Sequence, residues 1–330
     1  MKKITIAIIS IIAIILILLF AQKFHTKQDV FSSENKVQIV FITDEKYVTY
    51  LRTAIKSVIA NKNPETNIKI FVLGLNLQDK QIKKIIGEKR KNTEIEFIPI
   101  PENLLKDYKN KKIKKHQITF VDTTKFFLSE ILKDVDKVLY LDADTIVLKD
   151  LSQFYFSDLE DNYIGAIDDW QSDWKHEPEK RYFNSGVMLL NLAKIREDNI
   201  KNKLIEFEKN DTVKRFMTQD AFNTVMYGKV KYFPLIYDTF APEFDESNIK
   251  RRIRKVLGKN YDAKTYGYKD DEEYRKNVVI IHYCGYDYLK PWAEINFYQK
   301  SKRIWYKYST LEFWLGCLQG KCTLSNFYNQ

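Results

Sequence analysis

A chain of 330 residues that is 45% hydrophobic carries enough apolar side chain for one large α/β domain or two smaller ones, and its supply of Leu, Ile, Val and Phe excludes wholesale disorder. Lys and Arg outnumber Asp and Glu by 54 to 44, a net charge of +10 that favours anionic partners such as a membrane surface or a phosphorylated substrate. The basic runs KDYKNKKIKKHQ (106–117) and KRRIRK (250–255) read as solvated faces, and no zinc-finger spacing or RNA-binding signature accompanies them, so no nucleic-acid partner is expected.

The chain opens with two lysines and an uncharged apolar run from Ile4 to Ala21. As a helix that run spans about 27 Å, the thickness of a bilayer's hydrocarbon core. LLFAQ offers only Ala21 as a small residue, with Leu19 two positions before it, so residues 1–21 read as an uncleaved membrane anchor rather than a signal peptide. Lysines flank the run on both sides. The positive-inside bias is therefore slight, and it favours a short N-terminal tail inside with the body outside or in a lumen. Residues 22–35, QKFHTKQDVFSSEN, are polar and irregular and read as a stalk.

Regular alternation follows. KVQIVFIT (36–43), NIKIFVLG (67–74), TEIEFIPI (93–100) and KVLYL (137–141) read as buried strands. Between them, 47–62, 77–90 and 121–134 read as amphipathic helices. Strand–helix alternation with continuous apolar strands predicts an α/β fold, Rossmann-like, with a mostly parallel central sheet between flanking helices. The second half is less regular. Strands are expected at 162–168, 186–192 and 277–285, a short helix at 218–228, and a basic, aromatic helical segment over 296–330. No internal repeat or low-complexity block is present. Cys317 and Cys322 are spaced to close a small loop in an oxidising compartment, leaving Cys284 unpaired; three buried thiols fit the sequence equally well. NDT at 210–212 matches an N-glycosylation acceptor, a pattern frequent by chance.

In such sheets ligands sit outside the carboxyl ends of the strands. Asp142 and Asp144 follow the strand 137–141 and, in extended chain, project to one side, where two carboxylates can chelate a hard cation. His282 closes another apolar strand, in IIHYCGYDYLKPW (280–292). An imidazole added to two carboxylates suits Mn2+ better than Mg2+, and Gly285 and Lys290 just beyond suit a diphosphate.

With these landmarks the chain resembles glycosyltransferase family 8, the retaining nucleotide-sugar transferases that include glycogenin-like and lipopolysaccharide galactosyl- and glucosyltransferases. The similar stretches occur in order over 36–295: IVFITDEKYVTYL (39–51), DTTKFFLSEIL (122–132), KVLYLDADTIVLKDL (137–151), IGAIDD (164–169), YFNSGVMLLNL (182–192), TQDAFN (218–223) and IHYCG…KPW (281–292). The resemblance implies a GT-A fold over 36–295 and transfer of glucose or galactose from a UDP-sugar donor to a glycan or glycolipid acceptor. It implies Mn2+ on Asp142, Asp144 and His282. It places Asp44 and Tyr47 at the uracil and ribose, Gly285 and Lys290 at the diphosphate, and Lys125 near the donor sugar and phosphates. Asp169 and Asn184 would bind sugar hydroxyls, and Gln219 and Asp220 would line the reacting face of the anomeric carbon. On their own, Asn184 reads as a turn or strand-start residue, and Gln219 with Asp220 as a helix N-terminus. The chain departs from the family pattern at Lys46, where a polar amide is common, and at Thr218, which replaces the first aspartate of a D-Q-D form. Two extra residues also separate Gly285 from KPW. An anchored enzyme of this kind would be a single-pass, type II protein, in a Golgi-like lumen in a eukaryote or with its catalytic domain in the cytoplasm of a bacterium. A metal-dependent nucleotidyl or phosphoryl transferase, or a silent nucleotide-sugar- or glycan-binding protein, are the competing readings.

Overall fold

The unbroken apolar runs become strands because both of their faces are covered. The computed structural model describes residues 36–101, 104, 120–169, 181–210, 217–245, 267–285, 290–293 and 300–319. The expected anchor and stalk, the basic runs at 106–117 and 250–255, Cys322 and most of the NDT triplet lie outside the described residues. Among the described residues, no helix is long and apolar enough to cross a membrane.

Ten strands are found among the described residues: Lys36–Asp44 (β1), Asn67–Leu75 (β2), Thr93–Pro99 (β3), Lys137–Leu141 (β4), Thr145–Val147 (β5), Ile164–Asp168 (β6), Phe183–Asn191 (β7), Val230–Phe233 (β8), Thr239–Phe240 (β9) and Ile280–His282 (β10). Seven form one sheet in the order β3-β2-β1-β4-β7-β6-β8, and three form a small sheet, β5-β10-β9. Pairs β2/β3, β1/β4 and β6/β8 are parallel, whereas β7 runs antiparallel to both β4 and β6. The mostly parallel sheet expected from the alternation is present, with β7 as the reversed strand. A continuous apolar run reads the same in either direction, so its reversal leaves no mark on the pattern.

Successive side chains alternate across the large sheet and fill two cores. Ile39, Phe41, Leu139, Leu141, Val187 and Leu189 enter one; Val40, Ile42, Val138, Tyr140, Met188 and Leu190 enter the other. The first core is covered by Val48–Asn61 (α1), whose Val48, Leu51, Ala54, Ile55 and Val58 recur at helical spacing on the buried face. On the same side, Asp79–Ile86 (α2) is shorter than expected. Gln78 and Gln81 close a capping box at its start, and Gly87 ends it. The other core receives Leu128–Ile131 (α3), Leu192–Glu197 (α4), Ile200–Asn210 (α5) and Met217–Val225 (α6).

Three segments differ from expectation for local reasons. The helix expected at 121–134 is a 3-10 segment, Phe120–Phe127, followed only by the single turn α3. Val121, Asp122, Thr123, Thr124, Phe126 and Phe127 are all modest helix formers. The strand expected at 277–285 shrinks to β10, because Asp270 accepts from the amides of Glu272 and Glu273 at 3.0 and 2.9 Å and starts a helix, Asp271–Asn277 (α7). The described part of the tail is two helices, Lys300–Tyr308 (α8) and Leu311–Leu318 (α9), the second capped by Thr310, which accepts from Phe313 N at 3.2 Å. Trp305, Tyr306, Tyr308 and Phe313 of these helices belong to the first core.

Candidate active site

The large sheet ends where the site begins. Asp142 N donates to Gly186 O at 2.8 Å, the last rung between β4 and β7. The chain then turns: Thr145 donates to Asp142 O through its amide at 3.2 Å and through its hydroxyl at 2.8 Å. Asp142 and Asp144 therefore converge through a tight turn and not, as expected, through the alternation of extended chain. The turn leads into β5, which pairs antiparallel with β10 and aligns Thr145 with His282. Tyr283 N donates to Asp144 O at 2.9 Å and continues that pairing to the turn.

His282 is consequently buried against both carboxylates. Its Nε2 lies 3.4 Å from Asp144 Oδ1 and 3.7 Å from Asp142 Oδ2. The other ring nitrogen, Nδ1, is 2.9 Å from Asp238 Oδ1. Nε2 is buried and has no hydrogen-bond partner. Burial opposes charge on this imidazole, but the Asp238 and Asp144 carboxylates outweigh it and push the pKa up to about 10.

Each aspartate has one oxygen fixed by a buried lysine and the other turned to His282. Lys290 pairs with Asp144 Oδ2 and donates to Tyr283 O at 2.8 Å. Lys125 Nζ lies 3.3 Å from Asp142 Oδ1, which also accepts from the Tyr140 hydroxyl. Burial would raise the Asp144 carboxyl, yet Lys290 and His282 hold it well below the usual carboxylate range. Burial likewise opposes charge on Lys125, and Asp122 and Asp142 overcome it and raise its pKa. Gly186 makes the cluster possible. A Cβ there would lie 2.2 Å from His282 Cε1 and 2.7 Å from Asp142 Oδ2, closer than any side chain tolerates.

This donor set fits a divalent cation. Two carboxylate oxygens and an imidazole nitrogen lie within 4.8 Å of one another. An octahedral ion with bonds of about 2.1 Å sets neighbouring ligands roughly 3 Å apart. The unpartnered nitrogen is the strongest sign, since an imidazole whose other nitrogen is held by a carboxylate is how proteins commonly orient a metal-binding histidine.

The remaining residues singled out in the sequence have the following partners. Asp44 ends β1, and its side chain accepts from Lys46 N at 3.0 Å and Tyr47 N at 3.1 Å, shaping the turn into α1. The Tyr47 ring meets Tyr50 and Trp292 edge-on, with centroids 5.5 and 6.2 Å apart. Asn184 Oδ1 accepts from Gly186 N at 2.8 Å, next to the close approach of His282. Gln219 Oε1 accepts from Ser185 N at 3.1 Å, and Asp220 accepts from the Tyr182 hydroxyl at 2.6 Å, so the first turn of α6 is fastened to β7. Asp169 N bonds Tyr182 O at 2.7 Å, which brings the end of β6 to the same place. Gly285 follows β10 with φ 101°, a conformation that favours glycine. Lys290, expected at a diphosphate, is engaged by Asp144 and the backbone of Tyr283.

Several participants escaped the sequence reading. Asp238 follows a three-residue 3-10 turn with no periodic signal. Tyr182 and Gly186 lie inside a landmark stretch, but nothing in their spacing distinguishes them. Asn223 Oδ1 accepts from Phe183 N and its Nδ2 donates to Phe183 O, both at 2.9 Å, a clamp whose partners are 40 positions apart. Cys317 is disulfide-bonded and Cys284 is a free thiol.

Similarity to known proteins agrees with this geometry. A putative glycosyltransferase of Haemophilus influenzae is 27% identical over 258 residues, covering 76% of this chain and 71% of its own. The glycosyltransferase GlyF of Streptococcus pneumoniae is 32% identical over 279 residues, 83% of this chain and 62% of its own length. In three dimensions, the galactosyltransferase LgtC in complex with donor and acceptor sugar analogues superimposes with a TM-score of 0.68 at 26% identity, covering 85% of this chain and 99% of LgtC. The profile of glycosyl transferase family 8 matches residues 38–296, and the chain belongs to that family.

Proposed function

We propose that this chain is a retaining hexosyltransferase that moves glucose or galactose from a UDP-sugar to a glycan or glycolipid, with Mn2+ held by Asp142, Asp144 and His282. The observation that carries the reading is the buried Nε2 of His282, which makes no hydrogen bond and faces one oxygen of each aspartate. When bound there, a divalent cation acts as a Lewis acid toward the negative charge that grows on a departing diphosphate. Lys125, a buried cation beside Asp142, adds a fixed positive pole in a water-poor setting. Lys290 holds Asp144 in the orientation the cation needs and brings its own charge to the diphosphate side, next to the open backbone of Gly285. Asp44 and Tyr47 receive the base and ribose at the exit of β1. Asp169 and Asn184 take sugar hydroxyls. Gln219 and Asp220, fastened to β7, stand beside an anomeric carbon that becomes oxocarbenium-like. The LgtC complex supports a nucleotide-sugar donor and a sugar acceptor. The apolar run at 4–21 supports an acceptor presented at a membrane.

Calorimetric titration of UDP, with and without Mn2+, followed by assay of UDP release from UDP-glucose and UDP-galactose, tests the reading. UDP binding is expected to need Mn2+ and to weaken more than about a hundredfold in Asp142→Ala/Asp144→Ala, beyond the loss typical of an outer-sphere partner. A folded protein that takes up neither UDP nor Mn2+ would overturn it. Release of pyrophosphate from a nucleoside triphosphate would indicate a nucleotidyl transferase instead, and sugar-nucleotide binding without turnover a silent binder.

A further inference from the structure

Lys125 is the more enclosed of the two lysines at the site, and its three N–H donors are all accounted for. Its ammonium lies 2.6 Å from Asp122 Oδ1, 3.3 Å from Asp142 Oδ1 and 3.3 Å from Ser185 O. The Tyr140 ring covers it, with the centroid 4.7 Å away. Asp122 is in turn held by Thr218, whose hydroxyl donates to Asp122 Oδ2. Thr218 is almost fully buried, so this hydroxyl has little competition from water. A continuous chain, Thr218–Asp122–Lys125–Asp142, thus runs from the first turn of α6 to a cation-binding carboxylate.

The chain has an electrostatic consequence. An ammonium facing a single buried carboxylate is drawn to both of its oxygens and competes with any metal for them. Facing two carboxylates, it divides. Here the shorter contact goes to Asp122, and only Oδ1 of Asp142 is engaged, which leaves Oδ2 directed at His282.

We propose that Asp122, oriented by Thr218, is a positioning residue of the cation site: it keeps Lys125 on one oxygen of Asp142 and so leaves the other for the metal. Asp122 on the 3-10 segment and Thr218 in the first turn of α6 are joined by one hydrogen bond. This inference rests on the reading of Asp142, Asp144 and His282 as a cation site.

Mn2+ affinity of the full-length protein, measured by calorimetry and by the spin-resonance signal of free Mn2+, is the test, with melting temperature recorded for every variant. Asp122→Asn is expected to weaken Mn2+ binding about tenfold or more, as outer-sphere partners of metal ligands do. Thr218→Val, which removes only the orienting hydroxyl, is expected to weaken it about threefold and guards against a failure of Asp122→Asn to fold. The exchanged pair Asp122→Thr/Thr218→Asp returns a carboxylate to the same hydrogen-bonded pair and is expected to bind Mn2+ more tightly than Asp122→Thr alone. A fall in Mn2+ affinity at an unchanged melting temperature is something a merely structural role for Asp122 does not predict. Unchanged Mn2+ affinity in Asp122→Asn, or an exchanged pair no better than Asp122→Thr alone, overturns the proposal while the cation site stands. An original protein that binds no Mn2+ overturns both.

Discussion

Strands β1 and β2 are nine residues long, whereas β5, β9 and β10 have three, two and three. The long strands lie side by side with their apolar residues in two continuous cores, and few of the chemically active side chains lie within them. The short strands carry or flank the cation cluster. A long strand supplies rigidity, because each residue is fixed by its neighbours on both sides. A short strand supplies placement, because it ends where a side chain is needed. The site lies on the seam, with Asp142 at the end of the large sheet and His282 at the end of the small one, so a rigid floor holds a hand-placed roof.

Damage to the two regions should therefore look different. In the long-strand region, Ile70→Ala removes a fully buried side chain from β2 and is expected to cost about 2–5 kcal/mol of stability by urea denaturation. Mn2+ affinity of the folded fraction should stay unchanged; a parallel loss of affinity would mean the floor and the site are not separable. At the seam, Asp238→Asn is expected to do the reverse. It deprives His282 Nδ1 of its carboxylate and should lower Mn2+ affinity about 10- to 100-fold, with a smaller change in melting temperature. Equal Mn2+ binding in that variant would show that Asp238 merely fills space. The smallest effect is expected in the C-terminal helices. Thr310→Ala removes the cap of α9 and should cost about 1 kcal/mol with UDP binding untouched. If UDP binding falls there, the C-terminal helices reach the site through Trp305 and Trp292, whose rings are 5.6 Å apart.

The same contrast governs how much the sequence disclosed. The boundaries of β4 were legible to the residue, because Val138 to Leu141 form an unbroken apolar run that stops at a carboxylate. Asp142, Asp144 and His282 were legible as a group because Asp142 follows one apolar strand with Asp144 two positions on, and His282 closes another, and the structure brings them together. Strands β8 and β9 were not, since four and two residues are too short to show any period. The pairing of Lys290 with Asp144 joins residues 146 positions apart and leaves no local signature. Asp122 was visible inside a landmark stretch, but its worth comes from Lys125 and Thr218, and only the packing of the 3-10 segment against α6 reveals it.

The dispersal of the cluster along the chain also sets an order of assembly. Contacts between residues 142, 144, 238, 282 and 290 close large loops, and such closures come late because chain entropy must be overcome before they are rewarded. On the ribosome, the segments that form β1 to β4 emerge while β10 is still unmade. When both aspartates have emerged, the histidine that faces them is still to be synthesised. The Asp142–Asp144–His282 cluster is complete only with the last fifth of the polypeptide, so an arrested or truncated product is a scaffold that lacks it.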